Sequence, residues 1–251
     1  MAEALLRVEH VSKRFGGLLA VDGASLSVTS GRITALIGPN GAGKTTLFSM
    51  VSGFLRPDDG RIFYNGADIT GLPPHQLARR GIARTFQIVQ PFAGLSVREN
   101  IAVGSHLTCK RRIDALRAAG EVARSVDLGS QIEQSAGTLT VAGRKRLELA
   151  RALATKPKLL LLDEVLAGLN PSEIRDMIPV ILDISNRGVT ILMIEHVMQA
   201  VMSLAKHVFV VAEGRIIAQG VPAEVAADPR VIEAYLGHGA ASRMQAGARH
   251  A

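Results

Sequence analysis

At 251 residues the chain is near the upper size of one domain, so one large core with a smaller appended lobe is the expected build. It is 47% apolar, with no Trp, two Tyr and 25 Gly, which suits an aliphatic α/β sheet and argues against an aromatic-rich β-sandwich. One cysteine, Cys109, excludes an intramolecular disulfide and an all-cysteine metal cage, while a formal net charge of +7 points to nucleic acid, anionic lipid or a phosphorylated ligand without choosing among them.

The opening MAEALLRVEHVSKRF carries charge too early for a secretory segment, and no stretch approaches the roughly 18 apolar residues of a membrane span, so a soluble, cytoplasmic chain is expected. LLRVEHVSKRF and RIFYNGADI are short mixed runs with Gly turns and predict an antiparallel flank. Three times an apolar run leads into a helical pattern: RITALIG into KTTLFSMVSGF, KLLLLDE into PSEIRDMIPVILDISNRG, and VTILMIEH into VMQAVMSLA. With the closing HVFVVAEGRIIAQG, these predict buried parallel strands and crossover helices. Between Pro91 and Gly137 the strand signal stops, and SVRENIAVGSH and KRRIDALRAAGEVARSVDL show helical spacing, which predicts an inserted helical lobe. GHGAASRMQAGARHA has few apolar anchors and is expected to fray.

GPNGAGKTT, from Gly38 to Thr46, follows a strand and opens a helix, as the pattern G-x-x-x-x-G-K-[ST] requires. The candidate phosphate-binding residues are Gly38, Pro39, Asn40, Gly41, Ala42, Gly43, Lys44, Thr45 and Thr46. Glycines let backbone N–H groups close around phosphate oxygens at the positive end of a helix. Lys44 is expected to reach the outer phosphates of ATP, and Thr45 to offer its hydroxyl to Mg²⁺. A second strand must then bring carboxylates, and Leu159–Leu162 end in Asp163 and Glu164. Asp163 is the expected metal ligand; by strand alternation Glu164 points elsewhere and is free to act on water. Alone, an Asp-Glu pair also fits a helix N-cap with a dipole-facing acid.

The order of these motifs resembles the nucleotide-binding subunit of an ABC transporter, and most of all the ATP-binding subunits of branched-chain amino-acid importers. The resemblance runs from Leu5 to Gly237. It implies an α/β P-loop ATPase domain over 1–237, with a mixed core sheet, an antiparallel β flank and a helical signature lobe inserted at about 91–156, then a tail at 238–251. It also implies head-to-tail pairing with a second ATPase subunit, transmembrane permease subunits, an external solute-binding protein and a peripheral place on the cytoplasmic face of the inner membrane. ARTFQ places Gln87 at the loop glutamine that contacts Mg²⁺ or the attacking water, and MIEH places His196 at the switch histidine. Taken alone, Gln87 reads as a surface loop residue and His196 as a polar cap. Phe15 in SKRFGG matches the aromatic that stacks on adenine, its ordinary alternative being a core phenylalanine, and Asn170 in AGLNPSE holds the place where aspartate is more usual.

The signature departs from the family. Where L-S-G-G-Q is usual the chain has LTVAG: Thr140 keeps the hydroxyl, Val141 and Ala142 replace glycines and Gly143 replaces glutamine; a one-residue slip would instead make Gly143 the second glycine. The half-site it offers the neighbouring chain's γ-phosphate is expected to be weaker or differently shaped. The stretch Gln87–Asn100 is the implied permease socket, and Val89, Phe92 and Leu95 either fill that contact or pack the helical lobe. Two rival readings are a nucleic-acid-acting ABC ATPase, which the basic charge would suit, and a lipid or polysaccharide exporter subunit. Against the first, no second ATPase unit or coiled-coil insertion is present and the basic residues lack interleaved aromatics, so no nucleic acid is expected.

Overall fold

The computed structural model describes residues 4–88 and 90–236; Val89 and the tail at 238–251 lie outside them. The chain opens with β1 (Ala4–Phe15), β2 (Leu18–Thr29), β3 (Ile33–Ile37), α1 (Lys44–Val51), β4 (Asp59–Tyr64), β5 (Ala67–Asp68), α2 (Pro74–Arg79) and β6 (Ile82–Arg84). Next come α3 (Val97–Ser105), α4 (Arg112–Ser125) and α5 (Val141–Leu153). It closes with β7 (Leu159–Asp163), α6 (Pro171–Asn186), β8 (Thr190–Ile194), α7 (Met198–Leu204), β9 (His207–Ala212), β10 (Arg215–Gly220), α8 (Pro222–Ala227) and α9 (Pro229–Leu236).

A six-stranded sheet in the order β10-β9-β3-β8-β7-β6 forms the centre, parallel except for β10. β3, β7 and β8 are buried along their whole length, which is why they read as continuous apolar runs and not as alternating ones. Their residues still divide by face. Leu36, Leu161, Leu192 and Ile194 pack with Phe48 of α1 and the antiparallel sheet, while Ala35, Leu160, Leu162 and Met193 pack toward α6 and the helices α3 to α5. At about 1.5–3 kcal/mol for each large aliphatic side chain buried, this double-sided core is the main favourable term.

The flank is an antiparallel sheet in the order β2-β1-β4-β5. The run LLRVEHVSKRF falls on β1 and RIFYNGADI on β4 and β5, while β2, 12 residues long like β1, was not apparent in the sequence. Register shifts between Val8 and Val11 and on to Lys13 interrupt the period of two in β1, and left-handed Gly23 breaks it in β2, so neither strand shows a clean alternation. β6 was also not apparent in the sequence, because three residues carry no period. Between β6 and β7, α3 lies against both α4 and α5. Ser96 and Glu99 close a capping box on α3, and fully buried Asn100 fixes the preceding loop by accepting from the Phe92 N–H (2.9 Å) and donating to the Phe92 and Ser96 carbonyls.

Two polar groups near the sheet's C-terminal end have structural work. Asn170 is the N-cap of α6: its Oδ1 accepts from the N–H groups of Ser172 (2.9 Å) and Glu173 (3.0 Å), and the Glu173 carboxylate accepts from the Asn170 N–H. Glu195, just past β8 and 1% exposed, accepts from the Leu166 N–H at 3.0 Å, while its Oε2 has no protein partner. Burial pushes this carboxyl from an ordinary 4.5 up to about 7, and the Glu164 charge adds to the rise; the Leu166 and His196 N–H groups and the Lys145 ammonium oppose it.

Removing the cap in Asn170→Ala is expected to cost about 1 kcal/mol in urea denaturation, with Asn170→Asp retaining most of it. Because the Glu195 pKa is raised in the folded chain, its contribution to stability is full below pH 4.5 and is lost as pH rises to about 7. Glu195→Gln is therefore expected to stabilise the chain by on the order of 3 kcal/mol above neutrality and by little at pH 4.5, as read from denaturation midpoints across that range.

Candidate nucleotide site

The loop between β3 and α1 lies so close to its neighbours that side chains are excluded at two positions. A Cβ on Gly38 (φ 151°) would stand 2.0 Å from the Val211 carbonyl oxygen, and one on Gly43 (φ 101°) would stand 2.3 Å from that of Ala20. Lys44, 8% exposed at the start of α1, donates to the Gly38 and Pro39 carbonyls at 2.8 Å each. Its burial lowers the ammonium's pKa, with the Glu164 charge acting in the opposite direction. An incoming anion would supply the compensation that this buried cation lacks. Phe15 is half-exposed, not a core residue, and lines a cleft of about 540 Å³ with Gly41 to Thr46. On the other side of the loop, Arg230, Glu233 and Ala234 of α9 line a second cleft with Pro39 to Ala42.

Asp163 ends β7 and is 4% exposed. Its Oδ2 accepts from Arg84 Nη2 at 2.6 Å, and Arg84 also donates through Nη1 to the hydroxyls of Ser52 (2.8 Å) and Ser49 (3.2 Å). The guanidinium faces the rings of Phe48, Phe54 and Phe86, a setting that favours arginine's flat, weakly hydrated cation. Arg84 was not singled out in the sequence; its place on β6, next to β7, is what makes it Asp163's partner. Thr45 and Asp163 line one cleft with Gln87.

Glu164 lies beyond the strand, which corrects the argument from alternation. Its φ of 47° puts it in the left-handed region, and its N–H donates to the Ile194 carbonyl at 3.0 Å, so a turn and not the pleat redirects the side chain. The redirected carboxylate accepts from Gln87 Nε2 at 2.7 Å. Lys145, another residue the sequence did not flag, is 6% exposed on α5 and donates to the Gln87 carbonyl (3.1 Å) and the Glu164 carbonyl (3.2 Å). Burial lowers its pKa, while Glu195, Glu164, Asp163 and Glu148 act to raise it. A lysine on the buried stripe of a helix was the one available signal.

The structure thus brings Gln87, Asp163, Glu164 and Thr45 together around the loop. His196 is exposed two residues past β8, whose Ile194 pairs with Leu36 and with Asp163, so it sits at the same sheet end; it makes no side-chain hydrogen bond among the described residues. Thr140 stands apart: it is the N-cap of α5, its hydroxyl accepting from the Gly143 N–H at 3.1 Å, and it does not line the Phe15 cleft. A close-fitting glycine cradle with a buried ammonium fits a phosphate chain. No group of three His, Cys, Asp or Glu side chains stands together among the described residues, so a Mg²⁺ held by Thr45 and Asp163 would complete its shell with phosphate oxygens and water.

Comparison with known proteins agrees with this geometry. Residues 21–167 match the ABC transporter family, and residues 215–241 match the branched-chain amino acid ATP-binding cassette transporter family. The chain is 40% identical to the high-affinity branched-chain amino acid transport ATP-binding protein BraF of Pseudomonas aeruginosa, over 94% of this chain and 99% of that one. It is 38% identical to LivG of Escherichia coli K12, a protein of the same description, with the same coverage. The crystal structure of an ATP-binding cassette of an ABC transporter in its ADP conformation superposes with a TM-score of 0.86 at 34% identity, covering 94% of this chain and all of that one. With its phosphate loop, paired carboxylates and these relatives, the chain belongs to the ABC transporter family, as an ATP-binding cassette.

Proposed function

We propose that this chain is the ATP-hydrolysing subunit of a transporter that takes up branched-chain or related amino acids. The observation that carries the catalytic reading is the 2.7 Å bond from Gln87 to Glu164, made beside Asp163 and facing the Lys44 loop. Bound Mg·ATP supplies a phosphoanhydride bond and a cation that offsets its negative charge. The loop N–H groups and Lys44 bind the phosphates, Thr45 and Asp163 hold the metal, and Phe15 offers its exposed ring to the base. Gln87 orients the Glu164 carboxylate, which holds a water and accepts its proton. His196 completes the site from the end of β8.

The cargo is taken from BraF and LivG, whose names describe branched-chain amino acid transport. Those relatives also count against the nucleic-acid and exporter readings. No described helix is long and apolar enough to cross a membrane, so movement of cargo is assigned to separate permease subunits, with an external solute-binding protein delivering it. A cleft lined by Phe54, Leu77, Phe86, Val103 and Ala152 offers an apolar docking surface for such a subunit at the cytoplasmic face of the inner membrane. Phe92, beneath Arg151, extends the exposed apolar surface nearby, and Leu95 lies farther along the same loop. A second ATP-binding chain brings its own signature to this site, and the Thr140 end of α5 serves the neighbour's nucleotide.

Glu164→Gln is expected to lower ATPase turnover by at least about 100-fold while nucleotide affinity, read with a fluorescent ATP analogue, stays near wild type. Lys44→Ala is expected to lose that affinity. Wild-type protein that neither retains nucleotide nor turns it over, alone or with its permease, would overturn the reading. For the altered signature, single-turnover hydrolysis should be slower in the half-site facing Thr140 than in one facing an unmodified signature; equal rates would refute it.

A further inference from the structure

Lys145 is a buried ammonium whose side chain makes no ion pair among the described residues; its two hydrogen bonds go to backbone carbonyls. Taking a charge out of water for two neutral acceptors is costly, so the position needs a reason. The two carbonyls belong to Gln87 and Glu164, the same residues whose side chains bond each other at 2.7 Å. Lys145, Gln87 and Glu164 therefore close a ring of contacts that joins three segments far apart in the chain: the loop after β6, the residue after β7, and α5. Glu164 holds a left-handed conformation that a glutamate seldom adopts, and such a conformation persists where surrounding contacts over-determine it. The Ile194 carbonyl fixes its N–H, Lys145 its carbonyl, and Gln87 its carboxylate. Lys145 is also rigidly linked to the capped Thr140 end of its own helix, five residues away.

We propose that Lys145 is a positioning residue for hydrolysis: it sets the Gln87–Glu164 pair and ties that pair to α5, so that the catalytic carboxylate and the helix end offered to the neighbouring chain shift as one body. This rests on the reading of Glu164 given above. The contact restrains the backbone that carries the pair and leaves the phosphate loop untouched, so its loss is expected to appear in kcat and not in KM.

The test compares wild type with Lys145→Met, which keeps the volume and removes the donors, and with Lys145→Arg, which keeps donors and charge. Each full-length chain is assembled with its permeases for kinetics, and hydrogen exchange is followed on the isolated nucleotide-free chain. Lys145→Met is expected to lower kcat by about tenfold or more with KM for ATP within about twofold, and to speed exchange at Gln87–Ile88 and Glu164–Ala167. Lys145→Arg is expected to recover most of both. The proposal is overturned if Lys145→Met keeps wild-type kcat, or if it loses activity and melting temperature together while exchange at those two segments is unchanged, as a general packing defect would produce. Glu164→Gln is run alongside: a wild-type rate there would refute the underlying site reading, and the Lys145 proposal with it, separately from any result on Lys145.

Discussion

The site depends on the register of three parallel strands. β8 lies between β3 and β7, and its last residue, Ile194, is paired with Leu36 on one side and Asp163 on the other. That alignment delivers the glycine loop, the acidic pair and the His196 turn to the same end of the sheet, although the loop lies more than a hundred residues of chain before the other two. A slip of one residue in β7 would turn its apolar side chains to the wrong faces and carry Asp163 out of line with the loop. Because both faces of these strands are buried against different clusters, such a slip would expose or misplace large aliphatic groups on both sides at once. The apolar core thus fixes the position of charged residues that contribute nothing to it.

Those charges are arranged as a set of buried cations each turned onto a local acceptor. Lys44 rests on two carbonyls of its own loop, Lys145 on the carbonyls of Gln87 and Glu164, and Arg84 on Asp163 and two serines. In low dielectric such contacts are strong, and groups held this way need little reorganisation when negative charge arrives. Arg84 differs from the others because its partner is a carboxylate, and the pair is nearly sealed from water, with side-chain exposures of 9% and 6%. Two of its three aromatic neighbours, Phe54 and Phe86, carry the arrangement toward the apolar cleft, which Arg84 itself lines too. Asp163, the carboxylate proposed to hold the metal, and the proposed permease surface therefore share the Arg84 side chain, a short physical connection between chemistry and docking.

Features with a local cause were legible in the sequence. The phosphate loop needs glycine where backbones nearly touch, and the acidic pair follows four leucines, so residue types and order sufficed. Helices α3 and α4 showed their period because they bury one face only. What was hidden depends on distant partners. The Arg84–Asp163 contact spans 79 residues and Lys145–Gln87 spans 58, distances over which a single sequence carries no pairing signal. The direction of Glu164 was reached through the wrong mechanism, since a left-handed glutamate has no compositional mark as a left-handed glycine does. Asn170 was matched by resemblance alone to a place where aspartate is more usual, and its bonds to the start of α6 give the position a local structural reason as well.

The altered signature can be judged in the same terms. Val141 and Ala142 occupy the first turn of α5, and Val141 is 55% exposed, so the substitutions add bulk at the surface where glycines would have left the backbone open. They leave the cap intact: Thr140 accepts from Gly143, and the helix is 13 residues long, enough for its N–H groups and dipole to attract a phosphate. What is lost is close approach of the backbone, while the attraction persists. Under the proposal made for Lys145, a neighbour's phosphate seated less closely on this helix's N-terminus also pulls less firmly on Gln87 and Glu164, because the same helix carries Lys145 into contact with both.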